Sequence, residues 1–269
     1  MTHFACDLCG ENSPIEIEVC RQYTGGQPIH VCSNCGLVYV TERRSSEEVA
    51  ASWSEIYADK RYDPAWPAVE ARLTYVAEFV KQSIGVADKS VLDIGAGDGR
   101  LLTKIDCANR IGVEPTAAHP PFVGEWFQGT AEQAVGRVDP ADIVLLTWTL
   151  ENCAEPRKVL DAVYKLTKPG GHIVVATGSR ILVPPKKRLS QYLSTNAADT
   201  HPTRWSANTL REMLYRVGFA VEHGNNHEDS DWLVVIARRS DPEHSWSPSF
   251  GDDPQAVIDF FTRWHETWP

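Results

Sequence analysis

The sequence has 269 residues, 42% of them hydrophobic and 23% charged, with a formal net charge of −10. This composition can bury a sizeable core, which excludes a disordered or collagen-like chain. The acidic balance disfavours a nucleic-acid partner, because a protein that grips a phosphate backbone usually presents a basic face; the basic run 186–188 is interpreted as a solvated loop. No apolar run approaches the roughly 20 residues of a membrane-spanning helix. Because the first residues also lack a signal-peptide pattern, we expect a cytoplasmic protein with no membrane partner.

Two pairs of cysteines, each spaced C-x2-C and followed by glycine, distinguish the first 44 residues. A structural Zn²⁺ takes four thiolates at the corners of a tetrahedron, and each such turn presents two sulfurs to one point. Two disulfides are the alternative, which a cytoplasmic chain disfavours. We therefore predict a zinc-ribbon-like module over residues 1–44 whose structural Zn²⁺ is held by Cys6, Cys9, Cys32 and Cys35. Residues 15–20 alternate as in a strand, and Cys20 is expected to be a packed thiol.

The next segment, residues 45–68, is polar and aromatic and predicts a linker or cap with one short helix over 46–57. Its Tyr62 is expected either to close over a bound ligand or to pack against the core. From Val69 to Ile84 apolar residues recur at helical spacing, which predicts an amphipathic helix of about four turns.

Short apolar strands alternate with helical stretches over the main domain, residues 69–239. The predicted strands cover residues 90–94, 110–114, 125–128, 142–147, 172–177, 219–222 and 232–237. The predicted helices cover residues 98–106, 131–136, 156–168 and 206–217. This alternation is typical of an α/β fold, here a Rossmann-like seven-stranded sheet with helices on both faces.

The last segment, residues 240–269, carries bulky aromatic side chains among six acids and one arginine. The aromatic residues singled out are Trp246, Phe260, Phe261, Trp264 and Trp268. They either dock back onto the core or form a subunit contact, which would make the protein a homodimer. The sequence leaves both arrangements open.

Residues 91–100 form the most informative segment, a strand that ends in a glycine-rich turn and opens a helix. Parallel sheets bind nucleotide-like ligands at such turns. A dinucleotide requires G-x-G-x-x-G/A, but Arg100 occupies the place of the third small residue. Asp93 lies two residues before Gly95, and an acid there suits a cationic ligand better than a pyrophosphate. Gly95 and Gly97 allow a ligand to approach the backbone closely.

The turn at residues 93–99 resembles the first motif of the class I S-adenosylmethionine (SAM)-dependent methyltransferases. Glu114, at the end of the next strand, is similar to the family's acid that accepts hydrogen bonds from the two ribose hydroxyls. Segments 129–132 and 142–148 resemble the adenine edge and the fourth strand of that family. The resemblance implies SAM as the cofactor, bound through Asp93, Gly95, Ala96, Gly97, Glu114, Pro115, Ala131, Glu132, Thr147, Trp148 and Tyr62.

The cysteine pairs and the tyrosine-rich linker that follows resemble a narrower group of bacterial methyltransferases. Members of this group act largely on nucleotide sugars, surface polysaccharides and natural products, which implies a sugar-like small-molecule acceptor. After the fourth strand, family members often read Leu-Glu-His, whereas this sequence reads Leu150-Glu151-Asn152. No general base is therefore expected at position 152.

Methyl transfer to a hydroxyl requires the acceptor proton to leave, so a base near the acceptor is expected. His201 lies in the irregular stretch after the fifth strand, where such enzymes build their acceptor site, and is predicted either to be that base or to brace the loop. Glu151 is the second catalytic candidate, with a structural role at the strand exit as its alternative. Trp148 is expected to contact the cofactor or to pack in the core.

Two other functions stay open on the sequence. An RNA-modifying methyltransferase can also carry a four-cysteine module, although the acidic balance counts against it. A noncatalytic SAM-binding partner subunit is the third hypothesis, since Asn152 replaces a candidate base. The presence of Asp93, Gly95, Gly97 and Glu114 favours genuine cofactor binding in any of the three.

Overall fold

The computed structural model describes residues 2–58, 67–116, 124–193, 201–240 and 251–268. Its strands are β1 (Thr2–His3), β2 (Pro14–Glu16), β3 (His30–Cys32), β4 (Val38–Tyr39), β5 (Glu42–Arg43), β6 (Ser90–Ile94), β7 (Asn109–Glu114), β8 (Glu125–Gln128), β9 (Ala141–Thr147), β10 (Thr167–Thr177), β11 (Thr203–Arg204), β12 (Phe219–Gly224) and β13 (Leu233–Arg239). Its helices are α1 (Ser46–Ala58), α2 (Pro67–Ile84), α3 (Arg100–Thr103), α4 (Ala131–Ala134), α5 (Pro156–Leu166), α6 (Leu189–Tyr192), α7 (Ala207–Arg216) and α8 (Pro254–Thr267). Within these ranges no helix is both long enough and apolar enough to cross a membrane.

Seven strands form the central sheet, in the order β12-β13-β10-β9-β6-β7-β8. β13 pairs antiparallel with both of its neighbours, whereas the remaining pairs are parallel. The chain adds β7 and β8 on one side of β6 and β9 and β10 on the other, so the order reverses at β6. Open α/β sheets bind ligands in the crevice at such a switch point. The predicted seven-stranded α/β sheet is confirmed.

Side chains of the central strands alternate between two hydrophobic cores, one on each face of the sheet. In β9, Ile143 and Leu145 belong to the core that includes α2 and α3. Val144 and Leu146 point the other way, into the core that includes α4, α5 and α7. Helices therefore cover both faces, as the sequence predicts.

Several predicted boundaries differ from the observed ones. Helix α3 has four residues, Arg100–Thr103, instead of spanning 98–106, and Gly99 with φ +74 directly before it accounts for the later start. Strand β10 begins at Thr167, directly after α5, with a register shift between Thr167 and His172. The strand predicted over residues 172–177 is therefore the regular part of a longer strand.

The N-terminal module contains a four-stranded sheet in the order β11-β4-β3-β2, with β1 and β5 paired beside it. β11 comes from the chain between α6 and α7, so a late segment completes the sheet of the first module. The strand predicted over residues 15–20 is wrong in its second half, since β2 ends at Glu16 and a 3-10 helix covers Glu18–Tyr23. Cys20 is fully buried as expected, and burial raises its pKa to about 12.

Helix α8 closes a third hydrophobic core between the N-terminal module and α6. Its buried side chains recur at helical spacing as Val257, Phe260, Phe261 and Trp264. They pack against the module and against Leu189 and Leu193, and the Trp264 indole donates a hydrogen bond to the Lys187 carbonyl at 2.8 Å. Of the two expected arrangements for the aromatic C-terminal segment, docking onto the core is observed. Trp246 lies outside the described residues.

We expect Phe261→Ala to lower the free energy of unfolding by about 3–5 kcal/mol, because the fully buried ring leaves a cavity in this third core. Trp268, directly after α8, is 41% exposed, so Trp268→Ala serves as the control and should cost no more than about 0.5 kcal/mol. Urea denaturation followed by circular dichroism measures both changes. Small and equal losses would contradict the docking of α8.

Candidate active site and metal centre

The four cysteine sulfurs predicted to hold a metal lie together in the N-terminal module. All four Sγ atoms are within 4.8 Å of one another, and the distance is 3.5 Å from Cys6 to Cys35 and from Cys9 to Cys32. Four thiolates about 2.3 Å from one Zn²⁺ lie about 3.8 Å apart, so the arrangement fits a tetrahedral site. All seven cysteines are free thiols, unlike in the disulfide alternative. Four sulfur ligands fill a zinc coordination shell, which is typical of a structural site.

The C-terminal segment covers the second cysteine pair. Gly36 takes φ +72, and a Cβ there would lie 2.4 Å from the carbonyl oxygen of Asp252. The Asp252 amide donates to the Cys35 carbonyl at 3.0 Å, and its carboxylate accepts hydrogen bonds from Ser206 and Asn208 at the start of α7. Position 36 therefore requires glycine for both its backbone conformation and this close approach.

The glycine-rich turn lies where β6 ends, beside the ends of β7 and β9. Gly95 takes φ +72, and a Cβ there would lie 2.4 Å from the Thr149 hydroxyl oxygen, so packing at the strand end already demands glycine. Glu114 is buried at the end of β7 and accepts hydrogen bonds from the amides of Gly97 at 2.9 Å and Thr116 at 3.0 Å. Carboxylate oxygens accept more than one hydrogen bond each, so Glu114 can still receive a vicinal diol.

Asp93 is held in an environment that opposes its ionisation. The residue is 1% exposed, and its Oδ1 atom has no hydrogen-bond partner. Burial, followed by the negative charges of Glu114 and Asp98, raises the pKa of Asp93 well above its usual range. A cation bound beside it would relieve this penalty. The residues present therefore fit a positively charged cofactor such as SAM.

A cavity of about 530 Å³ opens at this edge of the sheet, and pockets of roughly 300–1,000 Å³ hold small-molecule ligands. The structure brings the described members of the predicted cofactor and catalytic set into its walls. They are Asp93, Gly95, Ala96, Gly97, Glu114, Pro115, Ala131, Glu132, Thr147, Trp148, Glu151 and His201. Tyr62 lies outside the described residues, and its role stays a prediction.

Trp148 lines the cavity in a backbone conformation that non-glycine residues rarely adopt, with φ +52. Its amide donates to the Ala176 carbonyl at 2.6 Å, and its carbonyl accepts from the Asn152 side chain at 2.9 Å. The Arg72 guanidinium lies 4.4 Å from the centroid of its ring. Asn152 therefore supports a strained backbone here, which is consistent with the expectation that no base stands at this position.

The surroundings of Glu151 are compatible with either of its expected roles. The residue is 1% exposed, and its Oε1 atom accepts a hydrogen bond from the Gly178 amide at 3.2 Å. Its Oε2 atom has no hydrogen-bond partner. Burial raises the pKa of Glu151, against the opposing effects of Thr177, Gly178 and Arg72. One oxygen thus braces the strand exit, while the other is free to meet a ligand hydroxyl.

His201 lines the cavity, but its environment differs from that expected of a base poised near neutrality. Its Nδ1 atom shares a hydrogen bond with the Ser179 hydroxyl. Burial, followed by the positive charges of Arg204 and Lys187, lowers the pKa of His201 to about 3. The imidazole is therefore neutral at physiological pH and has a low proton affinity. It can form a hydrogen bond to an acceptor more readily than it can take a proton from an alkyl hydroxyl.

Four further cavity residues carry no motif and were not predicted from the sequence: Trp53, Arg72, Tyr192 and Trp232. They come from α1, α2, α6 and the chain before β13, so only the fold brings them together. Of these four residues, Trp53 was the one with a local sequence signal for a site residue, since it is an aromatic residue in a polar segment.

The basic run 186–188, interpreted as a solvated loop, is in fact partly paired. Lys186 forms an ion pair with Asp229 at 3.1 Å, and Lys187 lies 3.5 Å from Asp231. Lys187 and Asp231 also line the cavity, so this basic run belongs to the wall of the site.

Comparison with known proteins places this geometry in a family. A methyltransferase-domain family matches residues 69–224. The ubiquinone biosynthesis O-methyltransferase of Aliivibrio fischeri is 31% identical over 152 residues, covering 52% of this chain and 63% of that protein. The enzyme of the same name from Cronobacter sakazakii is 32% identical over 147 residues, covering 50% and 58%. The match thus spans less than two thirds of the length of these relatives.

Solved structures show the same fold at low sequence identity. A 1,6-didemethyltoxoflavin N1-methyltransferase from Burkholderia thailandensis, solved with S-adenosylhomocysteine, has a TM-score of 0.57 at 16% identity and covers 76% of this chain and 95% of its own. The [4+2]-cyclase SpnF has a TM-score of 0.55 at 13% identity, covering 73% and 97%.

The family match, together with this fold and site, identifies the chain as a SAM-dependent methyltransferase. This chain belongs to the methyltransferase-domain family. The family match begins at residue 69, so it does not include the cysteine module.

Proposed function

We propose that this protein transfers the methyl group of SAM to an oxygen or nitrogen of a small polar metabolite, with a sugar or sugar derivative as the acceptor. One observation carries the proposal: the acids expected to hold the cofactor and the side chains expected to meet the acceptor line the same cavity. When bound, SAM supplies an electrophilic methyl group on a positively charged sulfur.

The chain's own residues account for cofactor binding and for alignment. Asp93 offers an unpartnered carboxyl oxygen to a cation, and Glu114 offers acceptors to a ribose diol. The sulfonium loses its charge in the reaction, so a water-poor pocket and correct alignment supply most of the acceleration. The rings of Trp148 and Trp232, 6.3 Å apart and edge to face, form an apolar part of the cavity wall.

The cavity wall combines flat aromatic rings with carboxylates, a combination that favours a sugar-like acceptor ring. Trp53 and Trp232 offer faces that can cover C–H groups. Glu151 and Asp231 offer oxygens that accept hydrogen bonds from hydroxyl groups. This arrangement supports the acceptor class expected from the sequence.

A phenolic hydroxyl is the second candidate acceptor, and the environment of His201 favours it. A base whose pKa is lowered to about 3 takes a proton poorly from a sugar hydroxyl. The positive charges of Arg204 and Lys187 would instead stabilise an acceptor that arrives ionised. Relatives named ubiquinone biosynthesis O-methyltransferases support oxygen as the atom that is methylated.

Turnover of methyl-labelled SAM with a panel of nucleotide sugars, free sugars and catechols tests the proposal. Label transfer to a sugar supports the first candidate, and transfer to a catechol alone supports the second. Methylation of RNA, with a salt-sensitive gel shift, would replace both by the RNA-modifying alternative. Tight SAM binding without transfer to any of these classes would favour a noncatalytic subunit.

His201→Ala is expected to lower kcat by about 10- to 100-fold through loss of a hydrogen bond to the acceptor and to leave SAM affinity within about twofold, because His201 lines the cavity outside the glycine-rich turn. Since the pKa of His201 is lowered to about 3, wild-type kcat should show no inflection near pH 6.5 from this residue. Steady-state kinetics from pH 5 to 9, with calorimetry of SAM, measure both effects. A wild-type inflection near pH 6.5 that disappears in the variant would instead support His201 as a general base that titrates near neutral pH.

A further inference from the structure

Arg43 is a buried cation that uses all three of its nitrogens. Its Nη2 atom donates to the Asp7 carboxylate at 2.7 Å, its Nη1 atom to the Ala154 carbonyl at 2.6 Å, and its Nε atom to the Val40 carbonyl at 2.6 Å. The Arg43 side chain is 1% exposed and that of Asp7 is 8% exposed. Each nitrogen of the buried guanidinium makes one hydrogen bond, and its planar geometry restrains the three acceptors relative to one another.

One hydrogen-bond partner of the Arg43 guanidinium lies within the first cysteine pair. Asp7 directly follows Cys6 in the C-x2-C turn. The ring of Phe4 also stacks near Arg43, with 4.9 Å between the guanidinium carbon and the ring centroid. The position of Arg43 is therefore tied to the order of the turn that holds Cys6 and Cys9.

On its other side, the Arg43 guanidinium donates a hydrogen bond to residues 151–154, which we call the pocket loop. All four residues of the pocket loop line the cavity. Glu151 presents its unpartnered Oε2 atom from this loop. Within the loop, Asn152 and Cys153 bond back to the carbonyls of Trp148 and Thr149. Arg43 secures the far end of the loop, at Ala154.

Two other hydrogen bonds of the cysteine module end away from the cavity. Arg216 of α7 donates to the Leu8 carbonyl at 2.8 Å, and Asp252 bonds to the Cys35 carbonyl. Leu8, Arg216 and Asp252 do not line the cavity. Among the contacts described above, the Asp7–Arg43–Ala154 connection is the one that joins a cysteine pair to the pocket loop.

We propose that Arg43 is a positioning residue that couples the four-cysteine module to the cofactor cavity, so that loss of order in the first cysteine pair loosens the pocket loop and weakens cofactor binding. The inference rests on the proposed function, because it takes this cavity as the SAM site. It makes the module a part of the methyl-transfer pocket in addition to a folding unit.

The test uses the full chain and S-adenosylhomocysteine (SAH) as the probe, with three variants. Arg43→Met removes the donors and keeps the apolar stem, and Arg43→Lys keeps the charge with a single ammonium. Arg21→Met is the matched control, because Arg21 lies in the same module, is 55% exposed, and pairs with Glu16 away from the cavity. Calorimetry of SAH, bound zinc, thermal unfolding and hydrogen exchange over residues 150–156 are measured for each.

Arg43→Met is expected to bind SAH at least tenfold more weakly at a temperature well below its Tm, with faster exchange in the pocket loop and its zinc content retained. Arg43→Lys should fall between this variant and the wild type, and Arg21→Met should match the wild type. Stripping the wild type with a chelator should reproduce the loss of SAH affinity. A merely structural role would lower Tm without changing SAH affinity.

The failures of the two proposals are distinguishable. Absence of SAH binding by the wild-type protein would overturn the proposed function itself. If the wild type binds SAH and folded Arg43→Lys or Arg43→Met binds it equally well with unchanged loop exchange, the coupling is wrong. Unchanged SAH affinity in folded, chelator-stripped wild type would also overturn it.

Discussion

Asp93→Asn is expected to weaken SAM binding by at least about 100-fold while raising the Tm of the ligand-free protein. The variant keeps the shape of the side chain and removes the charge that meets the cation, and losing one partner of a buried charge pair costs about 3–5 kcal/mol. In the ligand-free protein the same carboxyl is buried with an unpartnered oxygen, so removing its charge relieves a penalty. Calorimetry and thermal unfolding at pH 7.5 measure the two opposite effects.

The pH dependence of SAM affinity follows from the same group. Because the pKa of Asp93 is raised in the free protein, lowering the pH protonates it before it would protonate an exposed acid. The folded state then binds more protons than the unfolded state, so ionisation of Asp93 lowers stability as pH rises through its raised pKa. SAM favours the ionised form, so its affinity should fall with decreasing pH in the wild type, and less steeply in Asp93→Asn.

Asp142→Asn is the matched control for Asp93→Asn. Asp142 lies at the start of β9 and accepts hydrogen bonds from Ser90 and Lys168. Burial opposes its ionisation, but these partners outweigh burial and lower the pKa of Asp142 to about 2. The control should therefore lose about 1 kcal/mol of stability at neutral pH and retain wild-type SAM affinity. A similar loss of affinity in both variants would contradict a direct role for Asp93.

Cys32→Ser is expected to abolish stoichiometric zinc binding and to unfold the N-terminal module. Structural Zn²⁺ contributes about 10–16 kcal/mol to small zinc-finger peptides, far more than a module with four short strands in its main sheet gains from its own packing. Elemental analysis should find about one zinc per wild-type chain and much less in the variant. Thermal unfolding should show an early transition or a lower Tm.

Cys20→Ala provides the control for the metal site, since Cys20 is a fully buried thiol of the same module outside the sulfur cluster. It should retain zinc and lose only about 1 kcal/mol from the small cavity. Full zinc content in Cys32→Ser, or equal loss of zinc in both variants, would refute the four-cysteine site.

The parts of the site that the sequence predicts are those whose chemistry is local. Asp93, Gly95 and Gly97 lie within five residues of one another, and Glu114 ends the next strand. Backbone geometry at a strand end fixes their relation, whatever the rest of the chain does. The cysteine pairs are local in the same sense, because each C-x2-C turn places its own two sulfurs.

The parts that the sequence misses depend on tertiary packing. Arg72 and Trp232 both lie against Trp148 in the fold. They come from opposite ends of the main-domain sequence, so no spacing pattern predicts that they meet. The neutral state of His201 follows from burial and from Arg204 and Lys187, which the fold brings near it. Helix α8 is a different case: we did not predict it, although its buried residues Val257, Phe260, Phe261 and Trp264 recur at helical spacing.

The order in which the chain leaves the ribosome gives β11 a further significance. The second cysteine pair is finished at Cys35, whereas the strand that completes its sheet begins at Thr203. At about 5–20 residues per second, synthesis leaves roughly 10–30 s between these two points. During that interval β11 and the C-terminal segment do not yet cover the cysteine thiols of the nascent chain. Binding of a metal ion during this interval would protect the thiols from oxidation. When zinc is scarce, newly synthesised chains should therefore misassemble before the mature protein loses its structure.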